Sequence, residues 1–175
     1  MKSLFVVLAL ASCALGACAA PTHLDTPSGH PEVTISRTTP NKVKAALVRK
    51  MIDKGFQVTK DKQFELAFDR PLDNKLAEAL LGSKVSGTPN MRVTYSISQV
   101  GDDVRVIADL AAITNPGSAS ELSTDMNDAA KGAPVHDVQS FLDELRTELN
   151  SAQTSQPSLK KPVPPPTGHK NMPPA

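Results

Sequence analysis

The side chains best suited to covalent chemistry are two thiols, Cys13 and Cys18, and both lie in the first eighteen residues. Cysteine acts as a nucleophile through its thiolate. Cys18 follows Leu15-Gly16-Ala17 at the end of an apolar run, Leu4 to Cys18, behind one early cation, Lys2. The other chemically capable groups form no set. Of the four histidines, His23, His30 and His169 lie in polar, proline-containing segments. His136 belongs to the first turn of an expected helix, with no spacing that resembles metal ligands. Asp125-Met126-Asn127-Asp128 begins like a calcium loop, but Ala129 and Ala130 stand where a ligand and a glycine are needed. No G-x-S-x-G, glycine-rich phosphate loop or H-E-x-x-H occurs. The reading is therefore a non-enzyme with no metal and no cofactor.

A cation, a short apolar core and small residues before a cut make a secretory signal. The run is shorter than the ~20 apolar residues of a membrane-spanning helix. Leu15-Gly16-Ala17-Cys18 resembles the lipobox of bacterial lipoproteins: an aliphatic residue, two small residues, then cysteine. The resemblance implies that the Cys18 thiol receives a diacylglyceryl group and that residues 1–17 are cut away. The new amino group is then acylated with a fatty chain such as palmitate. Small residues let the peptidase approach the backbone beside the lipid. Leu10-Ala11-Ser12-Cys13 matches the same pattern but would leave a very short apolar core. An ordinary signal cut after Ala19 or Ala20 is the other alternative. Each buried CH₂ contributes about 0.8 kcal/mol, and two chains anchor firmly where one is marginal. In this family an Asp after the cysteine favours retention at the inner membrane. Ala19 therefore implies the outer membrane, facing the periplasm, if the cell has two membranes.

With the signal removed, 18 Lys+Arg face 18 Asp+Glu, Lys2 being the one charge lost. That balance gives no basic excess for nucleic acid. Tryptophan is absent and Tyr95 is the single tyrosine, so stacking platforms for bases or sugars are not expected. Both cysteines fall in the signal region, so the core must hold without a disulfide.

Residues 18–31 read as the lipidated end and a flexible polar linker, reaching up to ~40 Å. Residues 32–150 read as one domain. Val33 to Ser36 alternates as a strand. Thr39-Pro40 opens a helix and Gly55 closes it, with Leu47, Val48, Met51 and Ile52 on the buried face. Lys42, Arg49, Lys50 and Lys54 lie opposite, either on an anionic membrane or simply in water. Phe56 to Val58 and Phe64 to Phe68 form a hairpin, and Phe56, Phe64, Phe68 and Phe141 are expected to fill the core. Pro71 to Leu81 is a short helix that Gly82 stops. Ser83 to Asn90 is a loop. Met91 to Ser98 and Val104 to Leu110 form a second hairpin around Gly101-Asp102-Asp103. Ser118 to Ala133 is polar, with a helical turn expected around Glu121 to Met126. Pro134 opens the last helix, whose apolar face carries Val135, Val138, Phe141, Leu142, Leu145 and Leu149. Residues 151–175 are polar and proline-rich, a disordered tail with a polyproline II core. Its Lys160-Lys161-Pro162 to Pro166 segment suits an aromatic groove or an anionic cell-wall polymer, and equally a plain spacer.

The order strand, helix, two strands, short helix, two strands, helix predicts an α+β fold. It has an antiparallel sheet of about five strands with helices packed on one face. The arrangement is similar to helix-grip modules of lipoproteins in the outer-membrane barrel-assembly machinery, with no shared motif through which a functional residue carries over. If the two hairpins pair through the third and fourth strands, Asp69, Arg70, Asp73, Asn90 and Asn115 gather near the two longest loops as a candidate interaction edge. Turn formation by Asp69 and Asn115, and an ion pair of Arg70, explain the same residues. Two functions follow as expectations. One is a membrane-anchored envelope lipoprotein that binds another envelope protein or serves structurally. The other is a periplasmic carrier of a lipid or small apolar ligand held between the sheet and the last helix. A carrier needs a cavity of roughly 300 Å³ or more, and the small, few core residues favour close packing.

Overall fold

The computed structural model describes residues 24–82, 88–127 and 133–154. The first strands and helices are β1 (Glu32–Ile35), α1 (Pro40–Asp53), β2 (Gln57–Asp61), β3 (Glu65–Pro71) and α2 (Asn74–Leu81). They are followed by β4 (Asn90–Val100), β5 (Asp103–Thr114), β6 (Leu122–Asp125) and α3 (Ala133–Thr154). The strands make one antiparallel sheet ordered β1-β5-β4-β3-β2, with β6 also on β5. β1 pairs with residues 104–107 of β5 and β6 with residues 111–114, so two short strands share one long edge. Between them the Leu110 amide donates to Asn127 Oδ1 (2.9 Å) and the Ala108 amide to the Pro31 carbonyl (2.8 Å), leaving the edge satisfied. The fold is α+β, an antiparallel sheet with three helices.

Strand alternation decides which face is core. Met91, Val93, Tyr95 and Ile97 of β4 and Val104, Val106, Ala108, Leu110 and Ala112 of β5 are all buried on one side. α1 lays Val43, Ala46, Leu47 and Met51 on that side, and α3 lays Val135, Val138, Phe141, Leu142 and Leu145. These residues form one continuous cluster. Thr39 precedes α1 in extended conformation and Pro40 takes its first position. Past the end of α1, Gly55 adopts φ +81° and the Phe56 amide bonds the Met51 carbonyl, which turns the chain sharply into β2. The ends of α1 and α3 are further tied by Lys50, which pairs with Glu144 (3.0 Å) and Glu148 (2.8 Å) of α3. Arg49 also meets Glu148. The basic side of α1 is therefore largely an inter-helix ion-pair seam.

Several expectations are corrected. Residues 122–125 form strand β6 in place of a helical turn: all four side chains are exposed, and the segment is held by backbone bonds to β5 that no hydrophobic period advertises. Ile52 is 53% exposed, because the buried stripe of α1 runs through Val43, Leu47 and Met51, and Ile52 lies about 100° round the helix from Met51 and farther from the others. Phe64 is 57% exposed in the turn before β3, where its carbonyl accepts the Ile97 amide, while Phe56, Phe68 and Phe141 are buried. Pro71 ends β3, and α2 starts only at Asn74. Contacts also occur on either side of residues 32–150. Leu24 packs partly against the core, Thr26 Oγ1 donates to the His30 carbonyl, and α3 continues to Thr154. The signal segment, Cys18, residues 83–87 and the tail beyond Thr154 lie outside the described residues.

Candidate functional site

β3 and β4 pair as expected, so the end of β3, the start of β4 and the end of β5 meet: Pro71 faces Asn90, and Asn90 faces Ile113. The five candidate residues around this end nevertheless do different things. Asp69 faces Arg92 across the strands on the outer side of the sheet and takes both Arg92 Nε (2.7 Å) and Nη2 (2.8 Å). Arg92 Nη1 reaches Glu121 (2.8 Å), and Thr59 Oγ1 donates to Asp69. The hydrogen bonds it donates to Asp69 raise the Arg92 pKa further, so this guanidinium stays charged. The Gly117 amide and then Arg92 hold the Glu121 carboxyl below the usual carboxylate range. This network fastens the Asn115–Glu121 turn to the sheet. Asp73 caps α2 by accepting the Lys75 amide (2.9 Å). Asn115 adopts φ +51°, and its carbonyl accepts the Ser118 hydroxyl. Arg70 stands on the opposite face from Asp69, toward the helices. The cluster thus divides, and Arg70 is the member that borders the cavity between the sheet and the helices.

That cavity measures about 600 Å³ and opens between the sheet, the end of α1 and the first half of α3. Its wall is mainly apolar: Met51 of α1, Phe56 ahead of β2, Met91, Val93 and Tyr95 of β4, and Val138 and Phe141 of α3. Each is placed by an element already described. Met91, Val93 and Tyr95 are consecutive inward positions of one strand, and Val138 and Phe141 are three apart on one helix. Two methionines supply flexible, polarisable surface. Tyr95 stands edge-on to Phe68 (centroids 5.9 Å apart, 73°) and tilts toward Phe141 (6.3 Å). Its hydroxyl donates to Met51 Sδ at 3.4 Å, a weak acceptor. Burial pushes the Tyr95 pKa up, so the phenol remains a neutral donor.

The charged groups around the cavity are Lys54, Arg70, Asp137 and Glu144. Lys54 Nζ lies 5.6 Å from the Phe141 ring centroid, and Arg70 Cζ lies 4.7 Å from that of Phe56. Both cations are thereby drawn onto aromatic walls. Sequence reasoning singled out Arg70 but for a different grouping, and Met51, Tyr95 and Phe141 were legible only as core. An Arg on the same strand face, at the end of the Leu66-Phe68 alternation, was the one available signal. Among the described residues, no group of three His, Cys, Asp or Glu side chains converges as a metal site would require. The arrangement can enclose an apolar body and present charge at its opening. No protein-family model matches the chain, and no curated protein matches it in sequence.

Proposed function

We propose that this chain is a cell-envelope lipoprotein, tethered through Cys18 with its domain in the periplasm, and that the domain carries a small amphiphilic ligand between its sheet and α3. The cavity of about 600 Å³ carries this reading. Ligand sites for small molecules are typically of ~300–1,000 Å³ and mostly apolar with a few polar groups. The cavity therefore favours the carrier over the protein-binding module, and the lipobox-like Leu15-Gly16-Ala17-Cys18 supplies the tether.

The test is titration of the neutral fluorescent probe N-phenyl-1-naphthylamine into the purified full chain. Saturable binding at a single site is expected. Val138→Trp, which fills the cavity, and Ser140→Trp, which obstructs its opening from an exposed position, should each weaken it, with circular dichroism confirming the fold. Binding that survives both replacements would remove the cavity as the site.

A further inference from the structure

We propose that the ligand is an anionic single-chain amphiphile, a fatty carboxylate, with its head between Lys54 and Arg70 and its chain along the apolar wall. This rests on the carrier reading above. The first observation is Arg70. Leu66 and Phe68 point into the core, and Arg70, exposed at the end of β3, is the next position on that face, opposite the buried Met91. The apolar row of this face thus ends in a cation at the mouth of the cavity, which Arg70 lines together with Phe56 and Met91. Its neighbour Asp69 offers it nothing, being on the other face and committed to Arg92.

The second observation is that both cations have their charge to spare. Among the described residues neither Lys54 nor Arg70 has a carboxylate within ion-pair distance. Each instead rests on an aromatic ring, which holds it in place without neutralising it. Of the two carboxylates at the opening, Glu144 is engaged by Lys50. Among the described residues at the opening, that leaves the Asp137 carboxylate beside two cations without an ion-pair partner. An Arg guanidinium matches a carboxylate in a bidentate fork, and a Lys beside it adds a point charge.

The third is size. At roughly 30 Å³ per water-sized group, which a methylene approximates, the cavity holds on the order of 20 such groups. That is room for one acyl chain of about the length used in the test below.

Isothermal titration of the full chain with dodecanoate, dodecanol and dodecyltrimethylammonium, each below its micelle threshold, tests the head-group assignment. Dodecanoate should bind about tenfold or more tightly than dodecanol, the value of a charge-assisted hydrogen bond. The preference should shrink as salt is raised. In the Lys54→Gln/Arg70→Gln double variant, with its fold checked by circular dichroism, the ratio should fall to about one. Equal affinities for dodecanoate and dodecanol in the unaltered chain would overturn this inference and leave the carrier reading standing. So would a preference for the cationic amphiphile, or a carboxylate preference that survives in the double variant. If none of the three amphiphiles binds and the neutral probe also fails, both fall together.

Discussion

Tyr95 is fully buried, and its hydroxyl meets a thioether and no stronger acceptor among the described residues. The ring is what matters to the core, packed between Phe68 and Phe141. Tyr95→Phe should therefore change stability by less than about 1 kcal/mol, because a weak hydrogen bond is lost and the shape is kept. Tyr95→Ala should cost about 3–5 kcal/mol through the cavity it opens. Urea unfolding of the two variants measures both; a Phe variant as damaged as the Ala variant would show that the hydroxyl has a stronger partner than Met51. At this scale legibility largely followed range. Asn115 as a turn former involves a partner within a few residues, and its type announces that role, whereas the equally local capping of α2 by Asp73 was not read. The Asp69–Arg92 pair joins residues far apart in sequence and depends on strand register, which residue type does not encode. The same register puts Asp69 and Arg70 on opposite faces, so sequence adjacency misled.

Between elements, the α1–α3 seam and the β1–β5 pairing each rest on carboxylates held in the ionised form. The hydrogen bond from Lys50, with further help from Arg49, holds Glu148 below the usual carboxylate range. Arg105 does the same for Glu32, whose carboxyl it contacts through Nε and Nη2. A folded-state pKa below the unfolded one means stability that is complete above the unfolded value and lost as pH falls through the folded value. Thermal midpoints should thus be nearly level from about pH 7 to 5 and drop below about pH 4.5. Lys50→Met should lower the midpoint at neutral pH and make the acid drop shallower, since Glu148 then keeps less of its depression. A pH series of melts on both proteins checks this, and superimposable acid limbs would show that the seam contributes no linkage. β4, β5 and α3 were legible because each repeats its period over several turns or pleats. β6 was not, since an exposed four-residue strand with the pattern Leu-Ser-Thr-Asp carries no period and exists through the free edge it meets. The buried face of α1 was misjudged by one position, because Val43 and Ala46 define the stripe and Ile52 falls outside it.

For the molecule as a whole, the order of elements was readable because each is locally specified, whereas the cavity is a property of how they meet. The buried side chains pack into one cluster, and beside it α1, α3 and the sheet leave a half-open cleft of about 600 Å³. The placement of that cavity relative to the membrane depends on the tether. Residues 24–31 are not free linker: Leu24 packs on the core, the Thr26 hydroxyl bonds the His30 carbonyl, and Pro31 takes the Ala108 amide. The spacer between Cys18 and the domain then shortens to residues 19–23, which even fully extended bridge less than about 20 Å. If Cys18 is lipidated as proposed, such a leash would keep the domain beside the bilayer, where an amphiphile partitions. Two or more acyl chains bind a bilayer stably, whereas the bare thiol provides no anchor. Cys18→Ser should accordingly move the protein from the membrane fraction to a soluble or unprocessed form, with the wild-type protein gaining the mass of its acyl groups at residue 18. Intact-mass analysis of the membrane-bound protein decides the matter. An unmodified Cys18 there would falsify the tether, and it would leave the cavity to be explained as the site of a freely diffusing carrier.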